Sequence, residues 1–117
     1  MLETSIPVLR TGDYPRAHEF YTRIMGFECV EEGGDPARFG IFKRDRATVF
    51  VDGWNGVDAP YNHWRAYFHV ADLDAAEADF RTKGANITRE IENTVYGMRE
   101  FEVTDPDGNV LCFGMDA

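Results

Sequence analysis

Five side chains in this sequence could hold a metal through nitrogen or sulfur: His18, His63, His69, Cys29 and Cys112. Their spacing argues against a shared ion. His63 and His69 fall six residues apart on one strand-like run, so roughly 20 Å separates them at the rise of a β-strand. His18 falls on a helical stretch and is expected to be solvated. A satisfied polar or stacking role is the default for each histidine. Neither cysteine belongs to a Cys-x-x-Cys pair, and two reduced thiols are the expected state. For acid–base chemistry the candidates are His69 as a base and Arg65 as an anchor for an oxyanion or carboxylate.

The side chains of a strand alternate between its faces, and this sorts the remaining candidates. Between Trp64 and Val70, the apolar Trp64, Ala66, Phe68 and Val70 share one face, while His63, Arg65, Tyr67 and His69 share the other. Between Ala47 and Trp54, Val49 and Val51 oppose Thr48, Phe50, Asp52 and Trp54. Between Met98 and Thr104, Arg99, Phe101 and Val103 oppose Met98, Glu100 and Glu102.

The elements that must position these residues repeat. Ser5–Arg10 reads as a strand. Asp13 stands where an N-cap belongs and Pro15 falls in the first helical turn, where its missing N–H costs nothing. Ala17, Phe20, Tyr21 and Ile24 make one helical face, and Gly26 ends it. Strands are expected at Phe27–Glu32, Phe39–Lys43 and Ala47–Trp54, with a loop at Glu32–Pro36 and a tight turn at Arg44–Arg46. In the second half, Trp64–Val70 is a strand. Asp72 or Asp74 caps a helix, and Asp74 with Glu77 has capping-box spacing. Leu73, Ala76 and Phe80 form its stripe, and Lys83-Gly84 closes it. Asn86–Glu92, Met98–Thr104 and Asn109–Gly114 follow as strands, the last two joined by the turn Asp105-Pro106-Asp107-Gly108. The order is βαβββ twice, in modules of about residues 5–56 and 63–115 with Gly56–Tyr61 as the linker. The expectation is a single α+β domain over residues 1–117.

The formal net charge is −9, which argues against nucleic acid or an anionic membrane surface as a partner. It favours a cationic small ligand by field alone, although acidity also serves solubility. Met1–Ser5 carries neither a basic nor an apolar leader segment, so a cytoplasmic location is expected.

Ile6-Pro7-Val8-Leu9, Gly12-Asp13, Phe20-Tyr21 and Met25-Gly26-Phe27 together resemble the opening of the glyoxalase/bleomycin-resistance/extradiol-dioxygenase superfamily, the vicinal oxygen chelate proteins. Tyr96–Phe101, followed by Asp105–Asn109, resembles the bleomycin-resistance branch. The resemblance implies tandem βαβββ modules forming a curved mixed sheet, with a concave cleft and helices on the convex face. It also implies four metal-ligand positions, on the first and fourth strands of each module. Counting from the helix-opening Asp and from the turn before each last strand, these are Ile6, Arg65, Phe50 and Cys112. Ile6 and Phe50 have no donor, Arg65 is cationic, and Cys112 alone is one ligand. No metal and no cofactor is therefore expected.

By the same pattern the cleft would be lined by Phe50, Asp52, Trp54, Arg65, Tyr67, His69, Met98, Glu100 and Glu102. Rings offer stacking surface for a planar heteroaromatic ligand, and carboxylates suit a cation on it. The rings could instead close a dimer interface or fill the sheet. The resemblance further implies a groove between two protomers that sequesters bleomycin without modifying it. Its aromatic positions map to Phe39, Tyr67 and Tyr96, with Tyr at two positions where those proteins carry Trp. Arg65 and His69 would oppose a cationic drug. The function expected is a metal-free, homodimeric, antibiotic-sequestering binding protein, with a bend at Pro7 letting the N-terminal arm reach the partner. The alternatives are a metal-independent enzyme on this fold and a small-ligand sensor.

Overall fold

Asp13 and Asp72 open the two helices in the same way. The Asp13 carboxylate accepts the Arg16 N–H at 3.1 Å, and that of Asp72 accepts the Ala75 N–H at 3.0 Å, each satisfying a backbone donor with no partner inside its helix. The computed structural model describes residues 1–54 and 63–117; the expected linker, Gly56–Tyr61, lies outside the described residues. Helix α1 covers Tyr14–Glu19 and runs on as a π-helical turn, Phe20–Ile24. Gly26 then turns the chain at φ 75°. Helix α2 covers Leu73–Thr82. Asp72, not Asp74, is its cap; the Asp74 carboxylate pairs with Arg99 at 3.2 Å, and Glu77 with Arg81.

The chain divides into two compact units, Met1–Val57 and Asp58–Ala117. In the first, β1 (Val8–Thr11), β2 (Glu28–Gly33), β3 (Phe39–Arg44) and β4 (Ala47–Gly53) form a four-stranded sheet in the order β1-β4-β3-β2. In the second, β5 (Trp64–His69), β6 (Ile87–Asn93), β7 (Met98–Thr104) and β8 (Val110–Asp116) form another in the order β5-β8-β7-β6. The first and last strands of each unit run parallel and the other pairs antiparallel. The architecture is α+β, βαβββ in each unit. β1 begins at Val8, later than Ser5, because Pro7 has no N–H for a ladder; its carbonyl still accepts the Phe50 N–H at 3.0 Å.

Each unit buries its own core. Leu9, Phe42, Val49 and Val51 are buried with Ala17, Phe20, Tyr21 and Met25 in the first. In the second, Phe113 stacks between Phe68 and Phe101 at centroid distances of 5.0 and 5.1 Å, and Phe80 of α2 packs on it at 5.0 Å. Burying each such side chain contributes about 1.5–3 kcal/mol. Two turns have local causes. Asp45, at φ 52°, makes a two-residue hairpin between β3 and β4. The Asp105 carboxylate accepts the backbone N–H groups of Asp107 and Asn109 at 2.9 and 2.8 Å, and Gly108 takes φ 88°.

Simple alternation fails at three strands. The ladder shifts between Cys29 and Glu31 in β2, between Trp64 and Ala66 in β5, and twice in β6. A bulge inserts one residue and reverses the faces beyond it. In β5 the extra residue is Arg65, and Trp64 moves onto the face of Tyr67, away from the apolar face assigned to it by alternation.

Candidate functional site

The candidate residues occupy one sheet face in each unit. On the second sheet, Tyr67 lies beside Cys112 and Cys112 beside Glu102, while His69 lies beside Gly114 and Gly114 beside Glu100. Met98 continues the row opposite Asp116. Gly114 makes this arrangement possible: a Cβ there would stand 1.9 Å from the Tyr67 hydroxyl. Only glycine lets the phenol ring cross β8 to reach β7.

What it reaches is Glu100, whose side chain is 0% exposed. Its Oε1 accepts from the Tyr96 hydroxyl at 2.6 Å and from Arg89 Nη2 at 2.9 Å, and its Oε2 accepts from the Tyr67 hydroxyl at 2.9 Å. Arg89 then spreads over the neighbouring carboxylates. Its Nε donates to Glu102 at 2.7 Å and its Nη1 to Glu92 at 2.7 Å. Trp64 Nε1 also donates to Glu102, at 3.0 Å. Burial pushes the Glu100 carboxyl up, but the bonds from Tyr96, Arg89 and Tyr67 outweigh it and hold the group below its ordinary value. Burial and the Glu100 carboxylate raise Tyr67. Burial opposes the Arg89 charge, yet the three carboxylates keep the guanidinium firmly protonated.

The rings of Trp64 and Tyr67 lie 5.0 Å apart, and those of Tyr67 and His69 5.2 Å. Trp64 is 41% exposed and Tyr96 58%. The face therefore presents rings outward and keeps its charges bound to one another. Glu100 and Glu102, expected to meet a cation, already meet Arg89. Arg89 itself was missed by alternation, because two ladder shifts in β6 hide its face. Trp64 was missed for the same reason in β5. Arg65, expected on this face, is the bulge residue.

The corresponding face of the first sheet has an apolar centre with charged residues beside it. Val8 and Ile41 flank Phe50, and Arg10 and Phe39 flank Asp52. Phe39 and Phe50 meet edge to face at 5.3 Å. The Arg10 guanidinium sits 4.1 Å above the Trp54 ring, which is 39% exposed.

The four positions expected of a metal site do not fit one. Val8 lies beside Phe50 and Tyr67 beside Cys112, but Ile6 and Phe50 bring no donor and Arg65 brings a cation. The Cys112 thiol is buried, and burial with the nearby Glu100 carboxylate pushes it up to about 12, so it stays protonated and is a poor ligand.

The model of the Glyoxalase/Bleomycin resistance protein/Dioxygenase superfamily matches residues 5–113. The lactoylglutathione lyase of Escherichia coli O157:H7 is 32% identical over 114 residues, with 86% of this chain and 83% of that protein covered. Among solved structures, the bleomycin-binding protein of bleomycin-producing Streptomyces verticillus, complexed with copper(II)-bleomycin, superposes with a TM-score of 0.78 at 25% identity, covering 97% of each chain. A bleomycin-binding protein complexed with bleomycin gives a TM-score of 0.82 at 21% identity, covering 99% of this chain and 100% of that one.

Proposed function

The chain belongs to the glyoxalase/bleomycin resistance protein/dioxygenase superfamily, and from that premise we propose that it is a binding protein that sequesters a flat aromatic small molecule of the bleomycin class without a metal of its own. The observation that carries this reading is the pairing of two features. The positions that the resemblance implies for metal ligands hold Ile6, Phe50, Arg65 and Cys112, and each sheet carries rings on its candidate face: Phe39, Phe50 and Trp54 on one, Trp64, Tyr67 and Tyr96 on the other. Rings supply stacking area at low entropic cost. Glu100, Glu102 and Arg89 serve as the frame that fixes Tyr67 and Tyr96. Any charge on the ligand is then met by Asp52 and by the acidic field of the chain. In this reading the protein works as a cytoplasmic homodimer, each protomer contributing ring faces to a groove, and confers resistance to the antibiotic it holds. Among the described residues no helix is long and apolar enough to cross a membrane.

Titration with copper-free and copper-loaded bleomycin, followed by the fluorescence of Trp54 and Trp64, tests the proposal. Saturable quenching at about one ligand per protomer, with sedimentation at a dimer mass, supports it. A monomer that binds neither form of the drug overturns it.

The lactoylglutathione lyase relative favours a second reading, a metal-independent lyase or isomerase using His69 as base and Arg65 as anchor. Turnover of the hemithioacetal of glutathione, abolished by Arg65→Ala, would replace the first reading with this one.

A further inference from the structure

Away from both ring-bearing faces, His18, Cys29 and Glu32 form a cluster of ligating atoms in the first unit. One ligand atom from each lies within 4.8 Å of the other two, and His18 Nε2 stands 3.8 Å from Glu32 Oε2. The superfamily's metal positions contribute nothing to this cluster.

The fold builds it deliberately. Two residues three apart on a regular strand point to opposite faces. The bulge in β2 cancels that: Cys29 pairs with Phe42 and Glu32 with Gly40, and Phe42 and Gly40 share the helix-covered face of β3. His18 comes down from α1 onto the same spot, its ring edge-on to Phe42 at 5.6 Å. It is half-buried there, not solvated as its place on a helix suggests. Gly40 has a specific purpose. A Cβ at that position would stand 2.2 Å from the Tyr14 hydroxyl. Its absence lets the buried Tyr14 donate to Glu32 Oε2 at 2.7 Å, which orients the carboxylate. An outer hydrogen bond of this kind is what holds metal ligands in register.

We propose that His18 Nε2, Cys29 Sγ and a Glu32 carboxylate oxygen bind Zn²⁺, with water in the fourth position, and that the ion pins α1 to the edge strand β2. Zinc bond lengths to sulfur, nitrogen and oxygen place tetrahedral ligand atoms about 3.4–3.7 Å apart. The His18–Glu32 distance is already near that, and the widest separation must close by about an ångström, within reach of partly exposed side chains. Imidazole, thiolate and carboxylate together suit zinc better than magnesium or calcium, which prefer all-oxygen shells. Burial and the Glu32 carboxylate raise the Cys29 thiol, so the ion must displace its proton on binding; neutral imidazole with the two resulting anions then balances the ion's charge.

The test uses the full chain and the metal alone. Zn²⁺ is titrated in competition with a chromophoric chelator, and Co²⁺ is added separately as a spectroscopic substitute. The expected results are one Zn²⁺ per chain, a zinc-dependent rise in Tm, and a thiolate-to-Co²⁺ charge-transfer band. Cys29→Ser should lose the band and, like His18→Ala, the rise in Tm. Tyr14→Phe removes only the outer hydrogen bond and should weaken zinc about 10–100-fold. Circular dichroism of each variant separates lost binding from lost folding, and Glu32→Gln, which keeps an acceptor for Tyr14, provides a conservative fourth variant. Failure to compete with the chelator overturns the proposal. So does zinc binding that survives in folded Cys29→Ser and His18→Ala unchanged.

Discussion

The two sheets share a plan and differ in what they place on the candidate faces. Each unit caps its helix with an Asp seven residues after the expected ligand position of its first strand, and each runs its first and last strands in parallel. On the first sheet, Val8, Phe39, Ile41 and Phe50 make an apolar strip with charged residues beside it, and the Arg10 guanidinium stands 4.1 Å from the Trp54 ring centroid. On the second, a buried carboxylate gathers two phenols and a guanidinium. A duplicated scaffold has thus kept its backbone devices and diverged at the positions that would touch a ligand. The first face can be altered ring by ring. The second behaves as a unit, because its partly exposed charges satisfy one another around Glu100, the one member that water does not reach.

The largest expected effect follows from that difference. Arg89→Met removes the cation from beside fully buried Glu100 and leaves that charge with two hydroxyl donors. Breaking a buried pair from one side costs about 3–5 kcal/mol, an upper bound here because Arg89 is partly exposed, so denaturant unfolding should show a loss of up to that size. On the first face Arg10 is exposed, and Arg10→Met should cost clearly less than Arg89→Met, on the order of 1 kcal/mol, the scale of exposed cation–π and charge contacts. Equal effects at the two positions would mean that the two faces do not differ in how their charges are held.

Acid should separate the faces as well. The Glu100 carboxyl is held below its ordinary value of 4.5 in the folded state. Its contribution is therefore fully present above that value and is lost as the pH falls through the lower, folded one. The exposed Asp74, lowered by the bond and charge of Arg99, adds to the same limb. Glu100→Gln should flatten the acid limb of a stability–pH profile and lower the neutral plateau by roughly 1.5–3 kcal/mol, the range for a hydrogen bond to a charged group. An unchanged acid limb in this variant would show that Glu100 is not the titrating centre.

These contrasts mark what the sequence discloses. Helix starts, the βαβββ repeat and the faces of β4 and β7 follow from short-range chemistry: an Asp that caps, a Gly that turns, apolar residues at alternate positions. Phe50, Asp52, Met98, Glu100 and Glu102 consequently stand on the faces alternation assigns. Trp64 does not, since the bulge at Arg65 reverses parity and no residue type in Trp64-Arg65-Ala66 announces one. Arg89 is hidden by two such shifts in a strand without clean alternation, and Glu32 by the one in β2. The role of Glu100 was also misread. Sequence shows a carboxylate beside rings, but only packing shows that Arg89 reaches it first.

Tyr67 tests the two roles of the second face at once. Tyr67→Ala removes a stacking ring and should weaken a bound aromatic ligand about tenfold, since about 1.4 kcal/mol is a factor of ten. Tyr67→Phe keeps the ring and removes only the donor to Glu100. It should leave affinity within about threefold, less than 0.7 kcal/mol, while lowering stability measurably. If Tyr67→Phe weakens the ligand as much as Tyr67→Ala, the hydroxyl and not the ring is the point of contact.

The smallest effect is the one that identifies the ligand's charge. Arg10 covers the Trp54 ring in the free protein. A cationic aromatic ligand that stacks on Trp54 must displace the guanidinium and bear its repulsion. Arg10→Ala should then leave affinity unchanged or improve it, by up to about fivefold if one exposed cation–π contact of about 0.5–1 kcal/mol is released. The gain should shrink as salt is added, because screening weakens the repulsion that the substitution removes. For an anionic ligand every sign reverses: Arg10 attracts it, and Arg10→Ala weakens binding most at low salt. The comparison is best made with copper-free bleomycin and a small aromatic carboxylate side by side. Tighter drug with weaker carboxylate would assign the first face to cations. Weaker binding of both would show that Arg10 holds Trp54 in its binding orientation and does not compete for it.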